Sequence, residues 1–316
     1  MPEAFLNAIG RTTLLPLSRI VPPGHARILL KLEGENPTGS MKDRMALAMI
    51  EAAEKDGRLS PAGRVVEYTG GSTGVSLAFV CAVKGHPLSI VTSDAFSLEK
   101  RRHMQWLGAE LTLVPNRDGG NSARLTRELV ETARRLADEP GTYWTDQLNN
   151  PDQIQGYVPL GNEIWSQSDG RADAFVQTIG TSGSIQGVAQ ALRSHHPGVL
   201  IVGVEPAESA VLAGHPSGVH QIEGTGAGFV VPLWKEGIAD ELMQVSSDEA
   251  MAMARRLAKE EGVFAGTSTG SNVIAALRIA ERLGPKKTVV TLMCDSGLKY
   301  FSTPLYAEPE GPATTT

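Results

Sequence analysis

Four segments of the chain are rich in glycine, serine and threonine and could bind an anion through backbone amides. They are residues 36–42, 69–74, 180–184 and 266–270. The first amides of a helix have no partner inside the helix and lie at the positive end of its dipole, so they attract phosphates and carboxylates. Small residues let such an anion approach the backbone closely. One loop of this kind is common, whereas four in one chain are not.

The segment at 180–184 has the features of a phosphate site. It follows a predicted strand and leads into a predicted helix, and its residues are Gly180, Thr181, Ser182, Gly183 and Ser184. Free amides and small hydroxyls would then meet at a helix N-terminus. A tight turn with ordinary helix capping has the same composition, so both interpretations stay open on this segment alone.

The segment at 69–74 has the same design but a different expected ligand. Thr69, Gly70, Gly71, Ser72 and Thr73 offer three hydroxyls and several backbone donors but no cationic side chain. Such a nest suits a carboxylate or another small anion. A capped turn is again the alternative.

Lys42 is the residue with the chemistry of a covalent catalyst. It follows a Pro-Thr-Gly-Ser segment and lies in the first turn of a predicted helix, where the dipole disfavours a positive charge. The same field favours the neutral amine, which is the form that makes Schiff bases with aldehydes. A solvated surface lysine is the ordinary alternative at the start of a helix.

Two motifs in these loops resemble those of other enzyme classes but lack required parts. Residues 266–270 fit the G-x-S-x-G pattern of α/β-hydrolases, yet the last histidine, His220, precedes Ser268, whereas that fold places its histidine after the serine. Residues 34–42 resemble a P-loop, but Ser40 stands where that motif needs lysine.

No dinucleotide fingerprint follows a predicted strand, which argues against a Rossmann oxidoreductase. The seven histidines show no metal-binding spacing, and we assign no metal.

Short β-branched runs alternate with longer helical stretches, which predicts an α/β fold with right-handed crossovers. Ligands of such folds gather where strands lead into helices, so the four loops should lie at these junctions. The strand candidates are residues 26–32, 64–67, 88–92, 110–114, 174–179, 200–204 and 288–293. The helix candidates are residues 41–55, 74–83, 98–107, 122–137, 153–167, 184–193, 248–261 and 271–283. Ser246 and Glu249 form a capping box, and residues 307–316 are predicted to be a frayed tail.

Composition excludes several classes of protein. The chain has 316 residues, 41% of them hydrophobic, and is long enough for two domains or one large α/β unit. The net charge of 29 − 35 = −6 argues against a nucleic-acid partner. Two cysteines provide no disulfide framework. The lack of a long apolar run argues against secretion and against a membrane partner.

Taken together, these segments resemble the cysteine synthase (O-acetylserine sulfhydrylase) and cystathionine β-synthase family, pyridoxal-phosphate enzymes of fold type II. The resemblance extends from residues 9–14 to residues 295–300, with the motifs in the family's order and spacing. It implies a tryptophan synthase β-like α/β fold of two open, twisted, mostly parallel sheets flanked by helices. It also implies a larger cofactor-binding domain of residues 1–38 and 147–306, and a smaller domain of residues 39–146 that closes on the substrate.

The resemblance assigns a role to each loop. Lys42 becomes the Schiff-base residue, residues 180–184 the cup for the phosphate of pyridoxal 5'-phosphate, and residues 69–73, with Gln147, the site of the substrate α-carboxylate. Residues 223–229 resemble a glycine-rich active-site loop. The implied cofactor contacts are Lys42, Ser72, Gly180, Thr181, Ser182, Gly183, Ser184, Gly266 and Ser296. The implied substrate contacts are Thr69, Gly70, Gly71, Ser72, Thr73 and Gln147.

Ser296 falls, by the resemblance, at the pyridine nitrogen of the cofactor, and its neighbour Asp295 is the rival for that contact. A neutral hydroxyl cannot hold the nitrogen protonated as a carboxylate would. The ring would then be a weaker electron sink, suited to prompt loss of a β-leaving group. If Asp295 faced the ring instead, this electronic argument would reverse. Side-chain alternation lets only one of the two face the ring, and we expect Ser296.

The implied reaction is β-replacement on an O-activated L-serine such as O-acetylserine. Lys42 would remove the α-proton as general base, and an aminoacrylate intermediate would add a small nucleophile to give L-cysteine or another β-substituted alanine. Other activities of the same fold stay open, namely cystathionine formation, cysteine lysis and β-elimination, as does a non-catalytic role as a binding partner. The resemblance further implies a cytoplasmic homodimer.

Three positions depart from the family's usual residues. Ser72 stands where asparagine is usual near the cofactor 3-oxygen, Gly70 stands in place of a common serine, and Ser182 replaces a glycine of the phosphate cup. Cofactor binding should survive these changes, since a serine can still donate to the 3-oxygen. Substrate identity is what they bring into question, and a specialised relative that makes another β-substituted alanine is consistent with them.

Overall fold

The computed structural model describes residues 2–117, 119 and 121–307, and within them ten strands form two sheets with eight α-helices around them. The strands are β1 Leu14–Pro16, β2 Arg27–Leu32, β3 Arg64–Tyr68, β4 Leu88–Ser93, β5 Glu110–Val114, β6 Thr142–Trp144, β7 Ala174–Thr178, β8 Leu200–Pro206, β9 Glu241–Val245 and β10 Thr288–Met293. The helices are α1 Lys42–Asp56, α2 Ser72–Lys84, α3 Leu98–Trp106, α4 Ala123–Ala137, α5 Asp152–Gln167, α6 Gly183–His195, α7 Ser247–Arg256 and α8 Thr267–Leu283.

The two sheets are almost entirely parallel. The larger one has the strand order β1-β2-β10-β7-β8-β9, in which β1 runs antiparallel to β2 and the other neighbours are parallel. The smaller one has the order β5-β4-β3-β6 and is parallel throughout. Each predicted strand and each predicted helix has a counterpart, so the predicted α/β architecture is confirmed.

Both faces of the larger sheet are buried, which is why its strands are apolar without alternation. On β2, Leu29 belongs to a core cluster with Met45 of α1, whereas Ile28 and Leu30 belong to a second cluster with Val273 of α8. Successive side chains of a strand point to opposite faces, so helices must cover both. Each fully buried aliphatic side chain contributes about 1.5–3 kcal/mol.

Some local predictions were incomplete. The sequence reading missed β1, β6 and β9, and it placed the starts of α2 and α8 at residues 74 and 271 rather than at Ser72 and Thr267. The helix predicted over 248–261 is α7 followed by a π-helical turn, Leu257–Glu261. The capping box of Ser246 and Glu249 is present. The predicted tail lies outside the described residues, apart from Ala307.

The loops that carry the candidate chemistry follow the carboxyl ends of buried strands. Residues 69–71 join β3 to α2, residues 179–182 join β7 to α6, and residues 294–296 follow β10. In the part of the chain that is described, no helix is both long and apolar enough to span a membrane. Within the same ranges, no group of three or more His, Cys, Asp and Glu side chains could hold a metal ion.

Candidate active site

One cavity between the two sheets brings together Lys42, the 69–73 loop and the 180–184 loop. Lys42, Ser72, Gly180 and Thr181 contribute to its wall on both sides of the lysine. Gln147 also lines this cavity, beside the 69–73 loop. The segments that sequence analysis assigned separately to the amine, the carboxylate and the phosphate therefore meet in space.

Lys42 is the first residue of α1, and the chain before it is held firmly. The Met41 amide donates to the carbonyl of Cys294 (2.9 Å), and Ser40 forms a β-bridge with Asp295. Thr38 donates through its amide and its hydroxyl to the Asp43 carboxylate, at 2.8 and 2.5 Å. These contacts fix α1 against the end of β10, so the direction in which Lys42 enters the cavity is set by the backbone.

Burial lowers the pKa of the Lys42 amine below its ordinary value. Nearby Cys294 and Asp295 oppose this shift, whereas the charge of Lys100 adds to it. Desolvation is the largest cause, because an ammonium loses more on leaving water than a neutral amine does. The amine is thereby shifted toward the nucleophilic, proton-accepting form.

The 180–184 loop ends at a helix N-terminus whose N-cap residue makes no side-chain cap, and the Gly183 amide has only a long contact of 3.5 Å with Thr181 Oγ1. Ser182, the N-cap of α6, has φ +73° and makes no capping hydrogen bond to the helix. A Cβ on Gly180 would come within 2.5 Å of the Gly224 carbonyl oxygen, so only glycine fits this approach. An uncapped helix end beside a glycine that leaves the backbone open is a site for an anionic group.

In the 180–184 loop, some side chains border the cavity and others point into the protein interior. Ser182 is buried with its hydroxyl turned inward, where it accepts from Gln186 Nε2 (2.6 Å) and donates to the Leu233 carbonyl (3.4 Å). Thr181 Oγ1 donates to Gln153 (2.5 Å), and Ser184 pairs with Gln177. Ser182 can therefore serve a ligand through its backbone but not through its hydroxyl.

The 69–73 loop and Gln147 form one hydrogen-bonded unit. Thr73 Oγ1 donates to Gln147 Oε1 (2.8 Å), and Gln147 Nε2 donates to the Tyr68 carbonyl (2.7 Å). Thr69 is buried, and its Oγ1 accepts from the amide of Gly71 (2.9 Å). Sequence analysis assigned Gln147 and the loop to the same carboxylate, and the structure brings them into direct contact.

The positions of Asp295 and Ser296 differ from the sequence-based expectation. Asp295 lines the cavity beside Lys42, whereas the Ser296 hydroxyl accepts from the Leu298 amide (3.3 Å) and caps a short 3₁₀ turn. The two side chains point in opposite directions, as expected, but Asp295 rather than Ser296 faces the cavity. The structure thus favours Asp295 over Ser296 on this wall, and the contact of Ser296 with the pyridine nitrogen remains a prediction. The physical reason is that the turn after β10 uses the Ser296 hydroxyl as its own N-cap.

Only one of the two oxygens of the Asp295 carboxylate accepts hydrogen bonds from the described residues. Its Oδ2 accepts from the Ser72 hydroxyl (2.9 Å) and from the Tyr300 hydroxyl (2.8 Å), while its buried Oδ1 has no partner among the described residues. Gly266 packs against this carboxylate so tightly that a Cβ there would collide with Oδ1. Ser72, which is expected to contact the cofactor, lies on the cavity wall, and its hydroxyl donates a hydrogen bond to Asp295 Oδ2.

The structure brings two further side chains to the site, Ser268 and Lys100, to which the sequence had given no role. Ser268, in the first turn of α8, lines the cavity wall, and its hydroxyl is a hydrogen-bond partner of Cys294. Lys100 of α3 lies beside the 69–73 loop with Nζ 2.6 Å from Glu223 Oε2. The G-x-S-x-G pattern could have signalled Ser268. Nothing in the local sequence signals the ion pair, because its members are 123 positions apart.

The residues on this cavity fit the cofactor that the sequence resemblance implies. Pyridoxal phosphate needs an amine for its aldehyde, an anion site for its phosphate and polar groups for its ring. Lys42 can provide the first, the start of α6 the second, and the polar side chains of Ser268 and Asp295 on the cavity wall the third.

Comparison with known proteins gives the same result along nearly the whole chain. The family described as "Pyridoxal-phosphate dependent enzyme" matches residues 5–295. A cysteine synthase of Staphylococcus aureus is 40% identical over 307 residues, which cover 96% of this chain and 97% of that protein. The crystal structure of a cysteine synthase from Entamoeba histolytica superposes with a TM-score of 0.88 at 35% identity, covering 98% of this chain and 92% of the other.

A second solved structure, an O-ureido-L-serine synthase, superposes with a TM-score of 0.90 at 35% identity, covering 98% of this chain and 96% of the other. The predicted fold type II architecture, with two mostly parallel sheets flanked by helices, is thereby confirmed. The match includes the helix that presents Lys42 and the strands that lead to both anion loops. On this agreement of sequence, fold and cavity, the chain belongs to the family of pyridoxal-phosphate dependent enzymes.

Proposed function

We propose that this enzyme carries out β-replacement on an O-activated L-serine, of the O-acetyl-L-serine type, to give L-cysteine or another β-substituted alanine. The observation that carries this proposal is the meeting of Lys42 with two anion-binding loops in one cavity. An amino acid bound by its carboxylate at 69–73 would have its α-carbon near the Lys42 amine. The names of the relatives, cysteine synthase and O-ureido-L-serine synthase, support this class of substrate.

Lys42 is proposed to act twice. Pyridoxal phosphate, when bound, supplies an aldehyde for covalent attachment and a ring that withdraws electrons from the substrate α-carbon. The Lys42 amine, freed by the substrate, accepts the α-proton as general base and afterwards returns it. Its lowered pKa supports this role, because a base must be unprotonated at working pH to accept a proton.

Each of the two loops is proposed to bind one anionic group. The amides at 69–73 and the Thr73–Gln147 pair are proposed to hold the substrate α-carboxylate, with Gly70 leaving room beside Phe96. Residues 180–184 are proposed to hold the cofactor phosphate, with Ser182 and Gly183 contributing backbone only. Gly266, beside Ser268, is proposed to border the cofactor ring.

We further propose that residues 39–146 form a smaller domain that closes over the cavity against a larger one made of residues 1–38 and 147–306. Contacts across the cavity support closure, because Ser72 binds Asp295 and Lys100 binds Glu223. A closed cavity would keep water from the reacting groups.

A homodimer in the cytoplasm is also proposed, supported by the sequence resemblance alone, and light scattering of the purified enzyme would test the dimer.

Purified enzyme loaded with pyridoxal phosphate would be offered O-acetyl-L-serine, O-phospho-L-serine or L-serine, each with sulfide or with homocysteine. The proposal predicts turnover of an O-activated serine with sulfide or another small nucleophile, detected by mass spectrometry. Turnover of L-serine with homocysteine would indicate cystathionine formation instead. Release of sulfide from L-cysteine alone would indicate cysteine lysis or β-elimination. Lys42→Ala should abolish all of these, and no turnover by the intact enzyme would favour a non-catalytic binding role.

A further inference from the structure

Gln153, in the first turn of α5, contacts two segments that are proposed to bind anionic groups. Its side chain is fully buried. The amide nitrogen Nε2 donates to the carbonyl oxygens of Gln147 (2.6 Å) and Asn150 (2.9 Å), and Oε1 accepts from Thr181 Oγ1 (2.5 Å). A single amide group therefore joins residues 147–150 to the 180–184 loop.

The hydrogen bonds of the Gln153 amide allow only one orientation of this group. Two carbonyl oxygens can be satisfied by an NH2 group but not by an oxygen, so the nitrogen must face Gln147 and Asn150. Both hydrogens of the nitrogen are then used. The oxygen at the other end accepts from the Thr181 hydroxyl. A buried amide with these partners is held in one position, and breaking its hydrogen bonds is costly.

Gln153 also packs against the start of α6. Gly183 is the first residue of this helix, and a Cβ at Gly183 would collide with the Gln153 side chain. The backbone at the start of α6 therefore lies directly on the amide. Gly183 is proposed to bind the cofactor phosphate through its backbone, so Gln153 supports this part of the phosphate site from behind.

The two helices that carry these contacts are packed too closely to move independently. Gly161 of α5 lies against Val188 of α6, and Gly187 of α6 lies against the Ile154 carbonyl of α5. Neither glycine has space for a Cβ. Protein interiors packed at this density resist displacement. Movement of one anion-binding segment relative to the other would have to disturb this packing.

Gln147 is held by hydrogen bonds at its backbone and at its side chain. Its backbone amide donates to buried Glu67 (2.9 Å), and its side chain accepts from Thr73 Oγ1 (2.8 Å) and donates to the Tyr68 carbonyl (2.7 Å). Its own carbonyl accepts from Gln153. Among these partners, Gln153 also contacts the 180–184 loop. The link between the two segments thus passes through Gln153.

We propose that Gln153 is a positioning residue that holds the phosphate loop and residues 147–150 at a fixed separation. A donor amino acid bound together with the cofactor is held at two ends, by the cofactor phosphate and by its own carboxylate. A fixed distance between the two binding segments places the α-carbon reproducibly near the Lys42 amine. The inference rests on the roles proposed for the two loops and not on the leaving group or the nucleophile.

The link should also couple the two sites energetically. A ligand that orders one segment orders the other through the same amide, and such coupling is reciprocal. Loss of the link should therefore weaken the binding of both the cofactor and the donor amino acid. A side chain that only stabilised the fold would lower the free energy of unfolding without this paired effect.

The first test uses Gln153→Met, Thr181→Val and the double variant, with Gln155→Met as the control. Methionine fills a similar volume to glutamine but donates no hydrogen bond. Gln155 is exposed on the same helix. Cofactor affinity would be measured by titrating apoenzyme with pyridoxal phosphate. The KM of the donor would be measured with O-acetyl-L-serine and sulfide at saturating cofactor.

Gln153→Met should weaken cofactor binding by about threefold to tenfold and raise the KM of the donor by about tenfold, because buried hydrogen bonds to both segments are lost. Its effect on cofactor affinity should be non-additive with that of Thr181→Val by about threefold or more, since both changes break the same bond. Gln155→Met should match the wild type. An unchanged KM in folded Gln153→Met, or strictly additive effects in the double variant, would overturn the inference.

A second test needs neither turnover nor a Gln153 variant. Hydrogen exchange of the amides at 147–150 would be followed with and without pyridoxal phosphate in the wild type, Thr181→Ser and Thr181→Val. Serine keeps the hydroxyl that binds Gln153, and valine does not. The cofactor should slow this exchange by about tenfold in the wild type and Thr181→Ser, and much less in Thr181→Val.

Equal slowing in Thr181→Ser and Thr181→Val would contradict the link, even if Gln153→Met failed to fold. Failure of the wild type to turn over any O-activated serine would count against the proposed function. The cofactor affinities and the exchange rates would still decide the role of Gln153 in that case, so the two failures are distinguishable.

Discussion

Lys42 obtains its chemistry from the place where α1 begins. The first turn of a helix disfavours a positive charge, and burial lowers the pKa of the Lys42 amine further. Asp295, on the same cavity wall, opposes the shift and keeps a negative charge within reach of the amine. A lysine that is drawn toward neutrality but keeps a carboxylate nearby can both attack an aldehyde and carry a proton.

Glu67, at the end of β3, couples stability to pH. It is fully buried, and burial raises its pKa to about 8, although Thr145 and the amides of Gln147 and Tyr68 donate to it and oppose the shift. Its folded-state pKa is above its ordinary value of 4.5. The stabilisation is therefore fully present below about pH 4.5 and is lost as the pH rises through about 8.

Glu67→Gln, which cannot titrate, should remove this dependence. Urea unfolding between about pH 5 and pH 9 should show wild-type stability falling with pH by up to about 1.4 kcal/mol per unit relative to the variant. Glu110→Gln, at an exposed position on β5, is the control and should follow the wild type. Parallel pH profiles for wild type and Glu67→Gln would show that Glu67 is ionised throughout this range.

Residue types and spacing singled out Lys42 and both loops, and the family resemblance added Gln147. The structure brings these residues to one cavity, and their roles remain predictions. Residue types and spacing were not enough to decide which of Asp295 and Ser296 faces the cavity. Neighbouring side chains on an extended chain point in opposite directions. Which of the two faces the cavity is determined by the contacts with Ser72, Tyr300 and the Leu298 amide. These are tertiary contacts, which no local pattern encodes.

At the scale of elements, the four helices that begin at the cavity share the lack of an N-cap side-chain hydrogen bond, which α5 also lacks. α3, α4 and α7 are each capped by a serine side chain, at Ser97, Ser122 and Ser246. α1, α2, α6 and α8 begin at the cavity without a side-chain cap. An N-cap side chain satisfies a free amide that could otherwise bind a ligand. These helix starts keep some amide donors available for anionic groups, although the Lys42 amide donates to Ser40 Oγ and the Gly74 amide to Thr69 Oγ1.

Substitution of Gly71 tests whether the role of the 69–73 loop depends on its backbone conformation. It has φ +138° and packs against the stem of Lys100, so an added methyl group would meet both strain and a collision. Gly71→Ala should displace the carboxylate site and raise KM for the amino-acid donor by about tenfold to a hundredfold in steady-state assays. Gly57→Ala is a matched control, because Gly57 has φ +83° at the end of α1 with open space around it. An unchanged KM in Gly71→Ala would contradict the assigned role of this loop.

The elements that sequence analysis missed are short or lie at edges. β1 and β6 have three residues each, and β1 contains Pro16 at the antiparallel edge of its sheet. β9 is half-exposed and pairs only with β8 among the described strands. The early starts of α2 and α8 fall in Gly-Ser-Thr sequences of low helix propensity, where tertiary packing decides instead. Longer elements with a clear hydrophobic pattern were all predicted.

At the scale of the whole molecule, side-chain bonds join the two sheet regions across the cavity. Lys100 of α3 is 2% exposed at its side chain, lies 2.6 Å from Glu223 and has its Nζ 4.0 Å from the centre of the Tyr300 ring. The Ser72–Asp295 hydrogen bond spans the same gap. Because both contacts lie beside the 69–73 loop, opening the cavity would have to break them.

Glu223→Gln should loosen this closure, since it leaves the buried Lys100 without its carboxylate. Hydrogen exchange of the amides at 69–74 should become at least about tenfold faster. Glu241→Gln, which breaks an exposed ion pair with Arg282, should leave that exchange unchanged. Equal exchange in both variants would mean that the Lys100–Glu223 pair does not hold the cavity closed.

The two-sheet fold was predictable from the alternation of buried strands and helices together with the family resemblance. The domain boundaries at 38–39 and 146–147 and the homodimer remain predictions. Contacts across the cavity, such as the pairing of Lys100 with Glu223, were not predictable because they join positions far apart in the chain.

The most direct test of the account asks which lysine carries the cofactor. Enzyme loaded with pyridoxal phosphate would be reduced with borohydride, digested and mapped by mass spectrometry. The reduced cofactor is predicted on the peptide that contains Lys42, with no label in Lys42→Ala. Lys299 is the internal rival, because it is buried and burial lowers the pKa of its amine to about 8. A label on Lys299, or an unchanged label in Lys42→Ala, would contradict the account.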